Sequence, residues 1–305
     1  PKVFNLICNF IKNKTTYAIL GDTRHLPYKI DSDIDFCIEI ALKELTPLIK
    51  QFCHKNNIKL VQILQHEHTA FYYILAWKNT DNKWIMLQPD ICTDYYREGK
   101  RFLTAGQLTK NLITNNESKN NFYISEPAAA FIYYFLKRLD KGNMQPEHLS
   151  YLIEQWQKDK EKCQQSLNQY FCADKVNLIS QVLTSNDFSL LKDNELGLRK
   201  ALQNSKQIQP TLKDTIRETF RKAKRVIQPT GLHVVILGMD GSGKSSVLEK
   251  VIPVISPAFR KTQTVHLRPH LGRKQSKNNK VVTDPHSVPP RNLMGSLLKL
   301  AYLWF

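Results

Sequence analysis

The chain has 305 residues, 42% of them hydrophobic, and 44 Lys and Arg stand against 27 Asp and Glu for a net charge of +17. That length suits two domains with real cores, while the longest apolar runs, 128–136 and 297–305, fall well short of the roughly 20 residues that span a bilayer. The charge predicts anionic partners, and six cysteines without C-x-x-C spacing predict reduced thiols in a cytoplasm.

The first chemistry lies near the N-terminus. Residues 17–20 (YAIL) read as a buried strand ending at Gly21 and Asp22, and after a polar loop residues 32–38 (SDIDFCI) read as another. Residues two apart on a strand project to one face, so Asp33 and Asp35 share a side while Ile34 and Phe36 point into the core. Two such carboxylates can share two Mg²⁺ ions about 3.5 to 4 Å apart. A further strand over 84–91 supplies a third carboxylate, Asp90, although Pro89 argues against a central position in a sheet. His66 and His68, lacking a third clustered ligand, read as members of a plain strand.

This strand, glycine, loop and Asp-apolar-Asp pattern resembles the nucleotidyltransferase superfamily of DNA polymerase beta. The resemblance implies an α+β domain with a mixed sheet, a nucleoside triphosphate against Gly21, and Mg²⁺ held by Asp33, Asp35 and Asp90 as the catalytic carboxylates. One position departs from the pattern: Asp22 stands where the superfamily has a Ser, and a carboxylate there repels phosphate. Either the loop Thr23-Arg24-His25 supplies positive charge, or the domain no longer transfers nucleotides.

The middle of the chain reads as helical. Ser125 is expected to cap a helix with Glu126 and Pro127 in its first turn, a body over 128–139 and an end near Gly142. Further helices are expected at about 147–168, 174–184 and 194–204. Residues 213–227 form a linker helix with Leu212, Ile216, Phe220 and Ile227 on one face and Arg217, Arg221, Lys222, Lys224 and Arg225 around the rest. The expectation is that its apolar face packs on neighbours and its charged face is solvated, in preference to membrane or nucleic-acid contact.

The C-terminal part carries the most specific motif, Gly238-Met239-Asp240-Gly241-Ser242-Gly243-Lys244-Ser245, which satisfies G-x-x-x-x-G-K-[ST]. A buried strand over 232–237 is expected before it and a helix over 244–251 after it. Gly238, Gly241, Ser242 and Gly243 let backbone N–H groups turn around a triphosphate at the positive end of that helix. Lys244 then reaches the β- and γ-phosphates, and Ser245, followed by Ser246, ligates Mg²⁺. The wording GMDGSGKSS resembles thymidylate and nucleoside-monophosphate kinases, and 265–269 (VHLRP) looks like their second strand. That likeness implies that Asp240 faces the acceptor nucleotide and that Arg268 clamps phosphate. No convincing strand ending in a Mg²⁺-holding Asp follows; residues 281–284 (VVTD), before a Pro-rich stretch, read as loop. With Pro1 in place of a Met, the expectation is a piece of a longer gene product with an incomplete P-loop domain.

The order of parts resembles bacterial fusions of a nucleotidyltransferase-like domain with a thymidylate kinase-like domain, found in surface-polysaccharide gene sets. The expected fold class is therefore α/β: a nucleotidyltransferase-like domain over 1–125, a helical region and basic linker helix over 126–228, and an incomplete parallel P-loop domain over 229–305. The leading function is an ATP- (or other NTP-) and Mg²⁺-dependent phosphotransferase fused to a nucleotidyltransferase-like module, with a nucleotide or phosphorylated sugar or glycolipid as acceptor. A nucleotide-binding regulatory or scaffold protein without turnover, and a nucleotidyltransferase acting on nucleic acid or protein, stay open. Nucleic acid is disfavoured because aromatic residues do not interleave with the basic ones, whereas peripheral contact with anionic lipid is compatible with the charge. Oligomeric state is not legible.

Overall fold

The computed structural model describes residues 2–30, 33–115, 122–229, 231–239, 242–259 and 261–265. The chain divides into two compact units, Pro1–Lys261 and Thr262–Phe305; of the second, residues 262–265 are described and carry no regular structure.

Helix α1 (Lys2–Lys12) repeats apolar residues on one face, so Val3, Phe4, Ile7, Cys8 and Ile11 are buried together. They share a core with helix α2 (Leu42–Lys55) and with alternate residues of strands β1 (Tyr17–Leu20) and β2 (Ile34–Ile38), namely Tyr17, Ile19, Ile34, Phe36 and Ile38. The intervening Ala18, Leu20 and Cys37 belong to a second core on the other side of the sheet. Strand alternation thus decides where Asp35 goes: lying between Ile34 and Phe36, it faces the second core.

Strands β3 (Lys59–Glu67) and β4 (Ala70–Lys78) form a long antiparallel pair, followed by β5 (Trp84–Leu87) and β6 (Pro89–Cys92). Next come β7 (Tyr95–Arg97) and β8 (Lys100–Leu103), a separate hairpin whose turn residues Glu98 and Gly99 both have positive φ. Helix α3 (Ala105–Leu108), β9 (Ile113–Thr114) and β10 (Tyr123–Ile124) complete this half. Among the described residues the main sheet runs β3-β4-β6-β2-β1-β10-β9, with β5 also on β4. It is mixed: β6 runs parallel to β2 and β10 parallel to β1, while the other pairs are antiparallel. The single strand expected over 84–91 is two, broken at Gln88. Pro89 has no N–H to give, and β4 pairs with β6 through Asp90 and with β5 from Leu87 onward, so the proline falls in the step between them.

Five helices cover the other face: α4 (Pro127–Lys141), α5 (Pro146–Lys158), α6 (Lys160–Asn168), α7 (Ala173–Ser185) and α8 (Phe188–Gln203). Helix α4 is apolar nearly all round, as a helix between sheet and bundle must be, and it ends at Gly142 in the left-handed conformation. Its cap is not Ser125. Glu126 holds that position, and the Ser125 hydroxyl donates instead to the Leu108 carbonyl at 2.6 Å, satisfying a buried group. The helix expected over 147–168 breaks at Asp159, whose carboxylate accepts the Lys162 N–H and starts α6. Helix α8 begins earlier than expected because Asp187 caps it through the Leu190 N–H.

Helix α9 (Leu212–Ile227) starts at a reciprocal cap between Thr211 and Asp214. Its packing inverts the expectation. Asp214 and Glu218 are buried, whereas Leu212, Ile216, Phe220 and Ile227 are exposed. The acidic face is the one with polar partners: the Tyr96 hydroxyl donates to Asp214 at 3.1 Å, and Glu218 lies against Gly99 and accepts two bonds from Arg221.

The buried strand expected over 232–237 is absent. These residues pair with no strand among the described residues, and Leu232, Val234, Val235 and Leu237 are exposed. A parallel strand needs neighbours to take its N–H and C=O groups and helices over both faces. Of the second expected strand, Thr264 and Val265 are described without strand structure, and the rest lies outside the described residues. Helix α10 (Lys244–Ile255) does form, and its end is anchored where Ala258 packs on Tyr72 and Ile74.

Candidate metal and nucleotide site

Three adjacent strands set the site. Asp35 on β2 is paired with Leu20 of β1 on one side and with Asp90 of β6 on the other. Asp33, one residue ahead of β2, keeps the same face. The carboxylate oxygens of Asp33, Asp35 and Asp90 offer ligand atoms that all lie within 4.8 Å of one another. Asp33 is exposed and the other two are half-buried, so the cluster opens to solvent on one side. Hard oxygen donors converging in this way suit a hard divalent cation such as Mg²⁺.

Lys137 and His66 lie against this negative charge. Lys137 of α4 donates to the Asp35 carboxylate and, at 3.1 Å, to the Tyr133 hydroxyl. Burial pushes the Tyr133 phenol well above its ordinary pKa, aided by the Asp35 charge, so it stays neutral. His66 Nε2 lies 3.4 Å from Asp90 Oδ1, while the His68 ring meets Tyr96 edge-on; the two histidines do not share a ligand position. Below the carboxylates, Cys37 donates to the Thr93 carbonyl at 2.9 Å. Its hydrogen bond to Cys92, together with burial and the nearby carboxylates, raises the Cys92 pKa well above that of a free thiol. Cys92 is therefore not a thiolate nucleophile here.

Gly21 closes the site at the end of β1. Its φ of 84° is the left-handed region that glycine tolerates, and its carbonyl accepts the Tyr151 hydroxyl at 2.8 Å. The Asp22 charge is met within the loop. Arg24 binds it through two bonds of 2.8 and 2.5 Å and lies over the Tyr151 ring, with Glu154 3.6 Å away. Burial opposes ionisation of Asp22, but the Arg24 bonds outweigh it and hold the carboxyl below its ordinary value. Arg24 thus neutralises Asp22 instead of adding charge to the cleft.

At the second motif, Gly243 has a φ of 78° and leads into α10. A Cβ on Gly238 would come within 2.6 Å of Ser242 Oγ. Lys244 Nζ donates to the carbonyls of Gly238 and Met239 at 2.8 and 2.6 Å, so it folds over its own loop. Ser245 and Ser246 lie exposed in the first turn of α10. Asp240, Gly241, Arg268 and 281–284 lie outside the described residues.

Sequence reasoning named the three carboxylates that the structure brings together and did not name Lys137 or Tyr133; it read His66, which lies beside Asp90, as part of a plain strand, and it is in β3. The available signal for Lys137 was a lysine at the end of an otherwise apolar helical run, where a charge on a buried face calls for a partner.

No protein-family model matches the chain, and no curated protein matches it. Solved structures similar to it include JHP933 from Helicobacter pylori, at 13% identity and a TM-score of 0.27 over 74% of this chain and 94% of that one. Another is an antigenic nucleotidyltransferase-like protein from Paracoccidioides brasiliensis, at 14% identity and a TM-score of 0.38 over 67% and 92%. Both superpositions are loose, and the chemistry rests on the carboxylates themselves.

Proposed function

We propose that the sheet and the helices behind it form a nucleotidyltransferase-type site that binds a nucleoside triphosphate with Mg²⁺. The observation that carries this reading is the convergence of Asp33, Asp35 and Asp90 from two parallel strands onto one solvent-facing point. These three residues would hold the cation, which supplies charge stabilisation for attack on a phosphate. Lys137 would bind phosphate oxygens from the opposite wall once it leaves Asp35, and Gly21 would let the chain pass close to the nucleotide. The acceptor is taken to be a nucleotide or a phosphorylated sugar, and the region over 126–228 to be the wall that carries Lys137.

A second reading, binding without turnover, has one observation in its favour: two cations beside the cleft, Arg24 and Lys137, are engaged by Asp22 and Asp35. The Gly238–Lys244 motif supports a separate triphosphate site of kinase type, and that too is a proposal. Mn²⁺ electron paramagnetic resonance with and without ATP, alongside pyrophosphate release, separates the readings. Bound Mn²⁺ with released pyrophosphate supports transfer, and bound Mn²⁺ alone supports the second reading. Asp35→Asn is expected to weaken Mn²⁺ binding by about two orders of magnitude, close to 3 kcal/mol. Unchanged Mn²⁺ binding in that variant overturns the carboxylate site.

A further inference from the structure

Helix α9 lies on the protein by its acidic side. Asp214 and Glu218 are buried against the β7–β8 hairpin and hold their own partners, and at 100° per residue the apolar residues fall about 180° away, pointing outward. Leu212, Ile216, Phe220, Val226 and Ile227 are between 60% and 82% exposed. Singly exposed apolar residues are ordinary, but a continuous outward stripe along a whole helix is not.

The stripe's borders say what covers it. Lys213, Arg217 and Lys224 line one edge and Lys222 the other, and all are exposed. Among the described residues Lys213, Arg217 and Lys224 carry no ion pair, while the acids of the helix are turned inward. We propose that α9 is an interfacial helix that docks this protein on an anionic phospholipid surface. The apolar stripe enters the boundary between headgroups and acyl chains, and the bordering lysines and arginines meet the phosphates. A second copy fits less well, since apposed stripes bring their cations face to face. Nucleic acid fits less well too, because the centre of the outward face is aliphatic and aromatic instead of charged. The proposal is independent of the carboxylate site, which lies on other elements.

The test is sedimentation of the 305-residue chain with vesicles of phosphatidylcholine alone and of phosphatidylcholine mixed with phosphatidylserine. Binding is expected to the mixed vesicles and not to phosphatidylcholine alone, and to fall as salt screens the charges over a Debye length of about 10 Å at 0.1 M. Two double variants probe the two halves of the contact: Ile216→Ser with Phe220→Ser, and Lys213→Glu with Lys224→Glu. Each is expected to weaken vesicle binding about tenfold or more with unchanged circular dichroism, because all four residues face solvent. The proposal is overturned by equal binding to both vesicle types, or by binding that survives both variants. It is equally overturned if the serine variant abolishes a concentration-dependent dimer while vesicles are not bound, or if RNA is bound in place of vesicles and only the charge variant releases it.

Discussion

The two motifs that the sequence singles out in this chain are supported in opposite ways. Around Asp33, Asp35 and Asp90 each strand has neighbours on both sides, and the residues between the acids are buried in one of two cores. Around Gly238 and Lys244 the loop is held by local bonds, Lys244 to two carbonyls and Ser242 N–H to Met239, behind a stretch whose apolar residues are exposed. A motif names the groups that can bind phosphate; the neighbours decide how far those groups are positioned before the ligand arrives.

The largest expected effect comes from the core beneath the carboxylates. Phe131 is fully buried, stacked on Phe135 and tilted against Trp156, so Phe131→Ala is expected to cost about 3–5 kcal/mol in urea unfolding. A loss below about 1 kcal/mol would mean that this core does not hold the sheet. At the other motif, Lys244→Ala is expected to weaken ATP binding by about 2 kcal/mol or more, read by calorimetry, since a charged hydrogen-bond donor is removed. Equal affinity in parent and variant removes the second site altogether. Lys137→Met sharpens the contrast by splitting two readouts: affinity for Mn²⁺ alone should rise by roughly tenfold as the competing ammonium leaves Asp35, while ATP affinity falls. Parallel changes in both would mean that Lys137 only supports the fold. The smallest effect is expected for Leu237→Ser, within about 0.5 kcal/mol, because Leu237 is already exposed. A penalty of several kcal/mol there would restore the buried strand.

The carboxylate site was legible because a period of two is a local property: Asp33, Ile34, Asp35 and Phe36 fix their own faces once they are extended. Asp90 could be read from an apolar run with an acid at its end, but the break at Gln88 depends on how β4 divides its pairing between β5 and β6. Helix α9 shows the limit. Its apolar spacing announces a helix with one greasy face, yet which face turns inward was decided by Tyr96 and Gly99, more than a hundred residues away in sequence. The same holds for 232–237, where an apolar composition is suited to a strand but pairing requires neighbours that no local pattern supplies.

The bond between Lys137 and Asp35 joins residues 102 apart and belongs to two different layers, helix and sheet. A chain folded only as far as β6 would hold the three acids with His66 beside Asp90 but without the ammonium that α4 brings. The docking of α4 sets an ammonium against Asp35. On the reading proposed above, a cation bound there would take over the task the helix performs, and the released ammonium would be left facing the anion that came with the metal. On that reading, a change that draws helix from sheet by a few ångströms would weaken the site before it unfolds the protein, because the Lys137–Asp35 bond spans the two layers.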